Sequence, residues 1–282
     1  MPELPEVETI ARGLHRAISG KTFGGAEVRL PRVVVAKDPR PLGEALAGDR
    51  ITQVGRRGKF VVMSLASGRS LVVHLRMTGR LIVQAARPEP SPSTGSGQAR
   101  ELVRYANVVL AFTDGSRLTF ADARTFGRMR LVEPEEAWAA DFGLEPLSHD
   151  FSFERFSELL AGRTTPIKVF LLDQRRIAGI GNIYACEALW EARIRPTRPA
   201  GKLSKQARQR LHQSITDVLR RAIEMRGTSV DDYVDADGLR GGYQNKLSVY
   251  GRDGEDCARC GRKIVRTVVA QRGTWSCTGC QR

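Results

Sequence analysis

Two Cys-x-x-Cys pairs near the carboxy terminus, Cys257/Cys260 and Cys277/Cys280, constrain the fold of this chain more than any other feature. Each pair sets two thiolates on one tight turn, and two such turns sixteen residues apart can close a tetrahedral four-sulfur site. All four positions are Cys and none is left open, so a metal held there is structural. One Zn2+ is the expected ion, with an iron–sulfur cluster or two separate redox pairs as the alternatives. The intervening Ile264–Ala270 and Thr274–Ser276 have strand character and predict a short β-ribbon. So small a ribbon buries too little to fold alone, and the metal supplies its stability. The fifth cysteine, Cys186, reads as a small buried residue on a helix. Four paired thiols and one left over suit a reducing cytosol better than a disulfide framework.

The remaining chain divides into a strand-rich half and a helical half, and 282 residues accommodate two domains. Lys59–Leu65 and Ser70–Leu75 predict a hairpin joined at Ala66-Ser67-Gly68. Asn107–Phe112 and Arg117–Phe120 predict another around Thr113-Asp114-Gly115-Ser116. Val28, Leu30 and Val33–Val35 add strand. One helix precedes the strands. Pro5 suits a first helical position, Glu6 and Glu8 suit the first turn, and Val7, Ile10, Ala11, Leu14 and Ile18 keep helical spacing up to Gly20. Arg87–Gly97, with three prolines, predicts a mobile surface loop. In the second half Leu211, Ile215, Leu219, Ala222 and Ile223 lie on one helix face, with Ser204 as cap and Gly227 as stop. Pro166–Gln174 and Ile183–Ala192 predict shorter helices. The expected organisation is a domain over 1–132, a linker over 133–150, a helical domain over 151–240 and the ribbon over 241–282.

Lys and Arg total 45 against 31 Asp and Glu, a formal charge of +14, which favours a polyanionic partner because cations set against phosphates release counterions. The first twenty residues carry three glutamates and no apolar run, so neither an export signal nor a membrane anchor is expected.

The opening Met1-Pro2-Glu3-Leu4-Pro5-Glu6-Val7-Glu8 admits two readings. One is an acidic, capped first helix after a flexible start. The other is chemical. Removal of Met1 exposes the secondary amine of Pro2, of which roughly a tenth is unprotonated at neutral pH on an ordinary α-amino pKa. The positive end of the following helix raises that fraction. Attack of such an amine on a sugar C1′ forms an iminium, whose fixed charge acidifies the 2′ proton and promotes strand cleavage. Glu3 is placed to pass protons to the sugar.

From here the chain resembles the bacterial formamidopyrimidine-DNA glycosylase family over nearly its whole length. The match takes in Arg56-Arg57-Gly58-Lys59, His74-Leu75-Arg76-Met77-Thr78-Gly79, Asp122-Ala123-Arg124-Thr125-Phe126-Gly127, Gly179-Ile180-Gly181-Asn182-Ile183-Tyr184-Ala185, and Tyr250-Gly251-Arg252 leading into the cysteines. The resemblance implies an α+β chain of two domains: an amino-terminal β-sandwich with flanking helices, and a carboxy-terminal helix-two-turns-helix bundle with a four-cysteine zinc β-ribbon. It implies catalysis by Pro2 as nucleophile and Glu3 as proton-transfer acid, with Lys59 near the lesion phosphate or sugar and Arg272 gripping phosphates from the ribbon. Met77, Arg124 and Phe126 are expected to fill the gap left by an extruded base. The chemistry requires flipping, which costs a few kcal/mol, and apolar wedges with an Arg for the orphaned base offset that cost. Asn182, as a helix cap, and Arg104 are expected at phosphates, and Lys168 near the site. Thr228–Tyr250, with Gly238, Gly241 and Gly242, resembles the loop that folds over the flipped base.

The chain departs from the family pattern in places. Arg104-Tyr105-Ala106-Asn107 stands where the family usually has Lys-His-x-His, Arg76 replaces a usual Gly, and Ala123 and Thr125 replace a usual Pro and Arg. The implied function is base-excision repair of damaged double-stranded DNA by a bifunctional glycosylase and lyase, with β,δ-elimination, acting on 8-oxoguanine and formamidopyrimidines. A monomer in the bacterial cytosol or nucleoid is expected, without a membrane. The alternatives are a sibling enzyme for oxidised pyrimidines and a non-catalytic zinc DNA-binding protein. Leu4 argues against the sibling, whose opening usually has Gly there, and Pro2, Glu3 and Lys59 argue against the non-enzyme.

Overall fold

A computed structural model of the chain describes residues 1–35, 38, 40–86, 104–134, 137–229, 233, 234, 236 and 239–282. Two compact units emerge: Met1–Trp138 with Arg226–Gly241, and Ala139–Met225 with Gly242–Arg282. Residues 226–241 therefore belong with the strand-rich unit, whereas the sequence groups most of them with the helices. Their Tyr233 and Ala236 join that unit's apolar core. The surface loop expected over Arg87–Gly97 lies outside the described residues, as does Gly238.

The first unit opens with helix α1 (Leu4–Ile18). A reciprocal capping box at Glu3 and Glu6 sets its start, with the Glu3 N–H donating to Glu6 Oε2 at 2.8 Å. Pro5 sits at the second helical position, one later than expected, because Glu3 is the cap. Leu4, Val7, Ile10, Ala11, Leu14 and Ile18 are all buried, and burial of each such Leu or Ile contributes about 1.5–3 kcal/mol.

Among the described residues, nine strands and a short helix follow: Phe23–Val28 (β1), Val34–Val35 (β2), Leu42–Leu46 (α2), Ile51–Arg57 (β3), Phe60–Leu65 (β4), Ser70–His74 (β5), Arg80–Gln84 (β6), Ala106–Phe112 (β7), Arg117–Ala121 (β8) and Arg128–Val132 (β9). One antiparallel sheet has the order β1-β7-β8-β6; the other has the order β2-β9-β5-β4-β3. Both expected hairpins are present, as β4–β5 and β7–β8. Two expectations are corrected. Val33 lies in a 3-10 turn that begins at Pro31, which leaves only Val34 and Val35 to pair, in parallel, with β9. Lys59 is not a strand residue: Gly58 and Lys59 form a two-residue turn between Arg57 and Phe60, entered by Gly58 at φ +57°, which a side chain would strain. The sheets enclose a core that draws on Phe23, Leu110 and Phe120 from one, Val61, Val73 and Met129 from the other, and Ile10 and Leu14 from α1.

The second unit comprises α3 (Phe153–Leu160), α4 (Ile167–Leu172), α5 (Asn182–Glu191), α6 (Lys205–Glu224) and the ribbon β10 (Ile264–Val269) and β11 (Arg272–Cys277). Ser204 caps α6 as expected, its Oγ accepting from Ala207 N–H at 3.3 Å, and Leu211, Ile215, Val218, Leu219 and Ala222 are buried. Helix α5 packs on α6 and on β11. Among the described residues no helix is long and apolar enough to cross a membrane.

Candidate functional site

In the first unit, Lys59, Met77, Arg104, Arg124 and Phe126 collect at one end of the sandwich, and strand register explains why. Phe60, at the start of β4, pairs with His74 at the end of β5, which pairs with Arg128 at the start of β9. In the facing sheet, Ala121 at the end of β8 pairs with both Arg80 at the start of β6 and Ala106 at the start of β7. The turn with Lys59, the crossing 75–79 with Met77, the crossing 122–127 with Arg124 and Phe126, and Arg104 before β7 all leave the sheets at that end. Met77 and Phe126 are 39% and 52% exposed, a cost that an internal packing role would not explain. The Arg124 guanidinium lies 5.3 Å from the centre of the Phe126 ring, and that of Arg104 lies 5.2 Å from Tyr105.

Lys59 is buried. Its turn is braced by Arg56, which donates from Nη1 to the Gly58 carbonyl at 3.0 Å and from Nε to Glu8 of α1 at 3.0 Å. Burial raises the Glu8 carboxyl, but Arg56 and Arg12 outweigh it and hold the group below its ordinary range. At the start of α1, Pro2 and Glu3 are both buried. Glu6 is buried beside them and spans 222 positions of sequence, because its Oε1 accepts from the Thr228 N–H at 2.7 Å. The Tyr233 hydroxyl donates to the Arg226 carbonyl at 3.1 Å, and Ser229 Oγ accepts from the Gly241 N–H at 2.8 Å. Thr228, Ser229 and Gly241 of the stretch that resembles a base-covering loop are thus anchored within this unit, whereas its far end at Tyr250 belongs to the second unit.

His74 is 8% exposed, and its Nδ1 accepts from the Arg76 N–H at 2.9 Å, one residue before Met77. Burial first, then the charges of Arg76 and Lys59, push its pKa down to about 3, so the ring is neutral at physiological pH. Arg76, at φ +55°, holds a left-handed backbone that glycine would take without strain.

In the second unit, the sulfurs of Cys257, Cys260, Cys277 and Cys280 all lie within 4.8 Å of one another. Cys257–Cys280 is 3.8 Å and Cys260–Cys277 is 3.4 Å. Tetrahedral zinc with bonds of about 2.3 Å places its sulfurs about 3.8 Å apart, so the four thiolates fit one structural zinc. Trp190 Nε1 donates to Cys257 Sγ at 3.4 Å, and Gln281 Oε1 accepts from the Cys277 N–H at 2.7 Å, holding the ligand turns in place. Arg272 is exposed and begins β11, directly after a turn in which Ala270 and Gln271 both have positive φ.

Lys168 and Asn182 stand beneath that turn. Lys168 is fully buried, with Nζ donating to the Gly273 carbonyl at 2.8 Å and to Thr274 Oγ1 at 2.6 Å. Asn182 is the first residue of α5 rather than its cap, which is Gly181. Its Nδ2 donates to the same Gly273 carbonyl at 3.0 Å, and its Oδ1 is buried without a hydrogen-bond partner among the described residues. The two side chains clamp the residue next to Arg272.

Four residues with clear structural duties escaped the sequence reading. Glu6 had a local signal, the Glu-x-x-Glu spacing of a capping box. His74 and Asp122 lay inside quoted motifs with no role. Glu187 had no signal: it is 2% exposed on α5 and accepts the N–H groups of Ser248, Val249 and Tyr250 at 2.8–2.9 Å. Burial raises its pKa against the opposing effect of these three bonds.

Family models match along the chain: the formamidopyrimidine-DNA glycosylase N-terminal domain over residues 1–129, the formamidopyrimidine-DNA glycosylase H2TH domain over 142–234, and the zinc finger found in FPG and IleRS over 254–282. The formamidopyrimidine-DNA glycosylase of Heliobacterium modesticaldum is 43% identical, with 100% of both chains covered. A Lactococcus lactis FPG mutant solved in complex with a Fapy-dG containing DNA superposes with a TM-score of 0.87 at 35% identity, covering 100% of both chains. The MutM (FPG) protein of Thermus thermophilus gives a TM-score of 0.84 at 40% identity, over 99% of this chain and 98% of that one.

Proposed function

Because the chain belongs to the formamidopyrimidine-DNA glycosylase family, we propose that it excises oxidised purines, 8-oxoguanine and formamidopyrimidines, from double-stranded DNA and then cleaves the strand. The observation that carries the reading is the placement of Pro2 and Glu3. Both are buried at the positive end of α1, in a chain similar over its whole length to curated family members.

With Met1 removed, the Pro2 amine attacks C1′ of the damaged nucleotide. The bond from C1′ to the base nitrogen breaks, and the base leaves with a proton. Glu3 protonates the ring oxygen O4′, the sugar opens, and the nitrogen lone pair closes the C1′ iminium. The iminium draws electrons from C2′, so loss of a 2′ proton expels the 3′ phosphate. A second elimination expels the 5′ phosphate, and hydrolysis returns the free amine. The positive end of α1 disfavours the protonated amine before attack. Lys59, buried at the sheet end, supplies a cation for the phosphate or sugar at the lesion. Met77, Arg124 and Phe126 fill the vacated stack. Arg104, Arg272 and the start of α5 at Asn182 take phosphates, and Lys168 supports Arg272 by holding the Gly273 carbonyl. Zinc holds the ribbon and takes no part in the chemistry. One chain supplies all these residues, and the enzyme acts as a monomer without a membrane.

Borohydride trapping on a duplex with one 8-oxoguanine opposite cytosine tests this reading. A reduced adduct that maps to Pro2 is expected. No adduct, from protein shown to lack Met1, would overturn the imine mechanism for this lesion.

A further inference from the structure

Two chain segments cross from one sheet to the other at the same end of the sandwich. Residues 75–79 run from β5 to β6 and carry Met77; residues 122–127 run from β8 to β9 and carry Arg124 and Phe126. Asp122 sits where the two crossings meet and is 1% exposed. Its Oδ1 accepts from Thr78 Oγ1 at 2.5 Å and from the Arg124 N–H at 3.2 Å, and its Oδ2 accepts from the Gly127 N–H at 2.7 Å. Thr78 completes the link, since its Oγ1 also accepts from the Arg124 N–H at 3.3 Å. The backbone of Asp122 is fixed as well. Its N–H donates to the Tyr105 carbonyl at 3.0 Å, and its carbonyl accepts from Asn107 Nδ2 at 3.1 Å. Of the departures at 105 and 107, Asn107 touches this residue through its side chain, whereas Tyr105 meets it only through its backbone carbonyl. Gly127 is required where it stands: a Cβ there would lie 2.5 Å from Phe120 Cζ and 3.1 Å from Asp122 Oδ2. The far side of the loop is held by Arg32, which donates to Thr125 Oγ1 at 2.7 Å.

We propose that Asp122 is a positioning residue for base extrusion, fixing Met77, Arg124 and Phe126 as one preorganised unit through Thr78 and the loop amides. This rests on the reading above that those three residues fill the gap left by the extruded base. The physical argument is entropic. An exposed Phe and an exposed Met on separate loops each lose freedom when they enter a base stack, and that loss falls in the flipping step. A carboxylate that already holds both loops in register removes much of it before DNA arrives. Asp122 has the right chemistry, because one ionised carboxylate accepts several N–H and O–H donors at once where a neutral side chain satisfies fewer.

The decisive comparison is between two duplexes with the same lesion, one paired with cytosine and one opposite an abasic-site analogue, where the cost of unpairing has been removed. Thr78→Val deletes the hydroxyl link at constant volume and spares the buried carboxylate. It is expected to lower kcat/KM on the paired lesion about tenfold or more, tenfold being the lower end of what one hydrogen bond to a charged group contributes, and to leave the unpaired lesion within about twofold. Asp122→Asn should shift the ratio the same way and further, and Thr78→Ser, which keeps the hydroxyl, should restore it. A merely structural role would lower both substrates together. Met77→Ala and Phe126→Ala serve as the reference. If they show the selective loss and Thr78→Val and Asp122→Asn do not, Asp122 is not a positioning residue. If neither reference variant discriminates between the duplexes, the gap-filling reading itself fails and the proposal falls with it.

Discussion

His74 couples acidity to the loop that carries Met77, and the coupling has a calculable size. In the unfolded chain its imidazole titrates near the ordinary 6.5; in the folded protein burial and two nearby cations lower that to about 3. Because the folded pKa is depressed, the unfolded state binds more protons between about pH 3 and pH 6.5. Stability from this group is therefore complete at neutral pH and is lost as the pH falls toward 3. Between about pH 7.5 and pH 5 the loss is ~2 kcal/mol, from protonation of the unfolded imidazole alone. That figure barely depends on the folded value, since the folded ring is neutral at pH 5 for any pKa much below it. The His74→Asn variant isolates the term. Its Oδ1 stands where Nδ1 does and can accept the Arg76 N–H, yet it does not titrate. Urea unfolding of both proteins at the two pH values, followed through amide exchange of the strand-rich unit, gives a double difference in which every other titrating group cancels. The wild type should lose ~2 kcal/mol more than the variant on acidification. Equal losses would show that His74 titrates normally and that its burial has been misjudged.

Pro2→Gly should abolish or sharply reduce base excision while lesion-DNA affinity stays within a few-fold, as read by single-turnover cleavage and a binding titration; wild-type-like turnover would remove Pro2 from the mechanism. Cys277→Ser should release zinc and weaken DNA binding through loss of the ribbon, and unchanged metal content with unchanged affinity would contradict the four-sulfur assignment. Glu187→Ala leaves three buried N–H donors at 248–250 without their acceptor and should cost roughly 2–4 kcal/mol in denaturant unfolding, less whatever stability is regained by no longer burying an ionised carboxylate. A cost below about 0.5 kcal/mol would mean that the segment before the ribbon is held by other contacts.

The features legible in the sequence are those decided by neighbours along the chain. Four thiols in two tight turns mark a four-sulfur site by spacing, because a turn sets the separation of both sulfurs whatever surrounds it. Helix α1 announces itself by its apolar period, and helix α6 by its apolar period and Ser204, since a cap bonds only to the turn that follows it. The β7–β8 hairpin follows from Asp114-Gly115 between alternating strands.

What the tertiary structure alone decided are contacts between residues far apart in the chain. Arg32 reaches Thr125, Asp122 reaches Thr78, Lys168 reaches Gly273 and Glu6 reaches Thr228, across separations of 93, 44, 105 and 222 positions. No local propensity encodes such a meeting. Lys168 looks like a surface cation in sequence, yet it is fully buried because a carbonyl, a hydroxyl and the fold of the ribbon supply acceptors there in place of water. Lys59 shows the same division within a single turn. Its position after Arg56-Arg57-Gly58 was readable, but its burial was not, because the turn that carries it is placed by a strand register that settles only when both sheets close on their shared core.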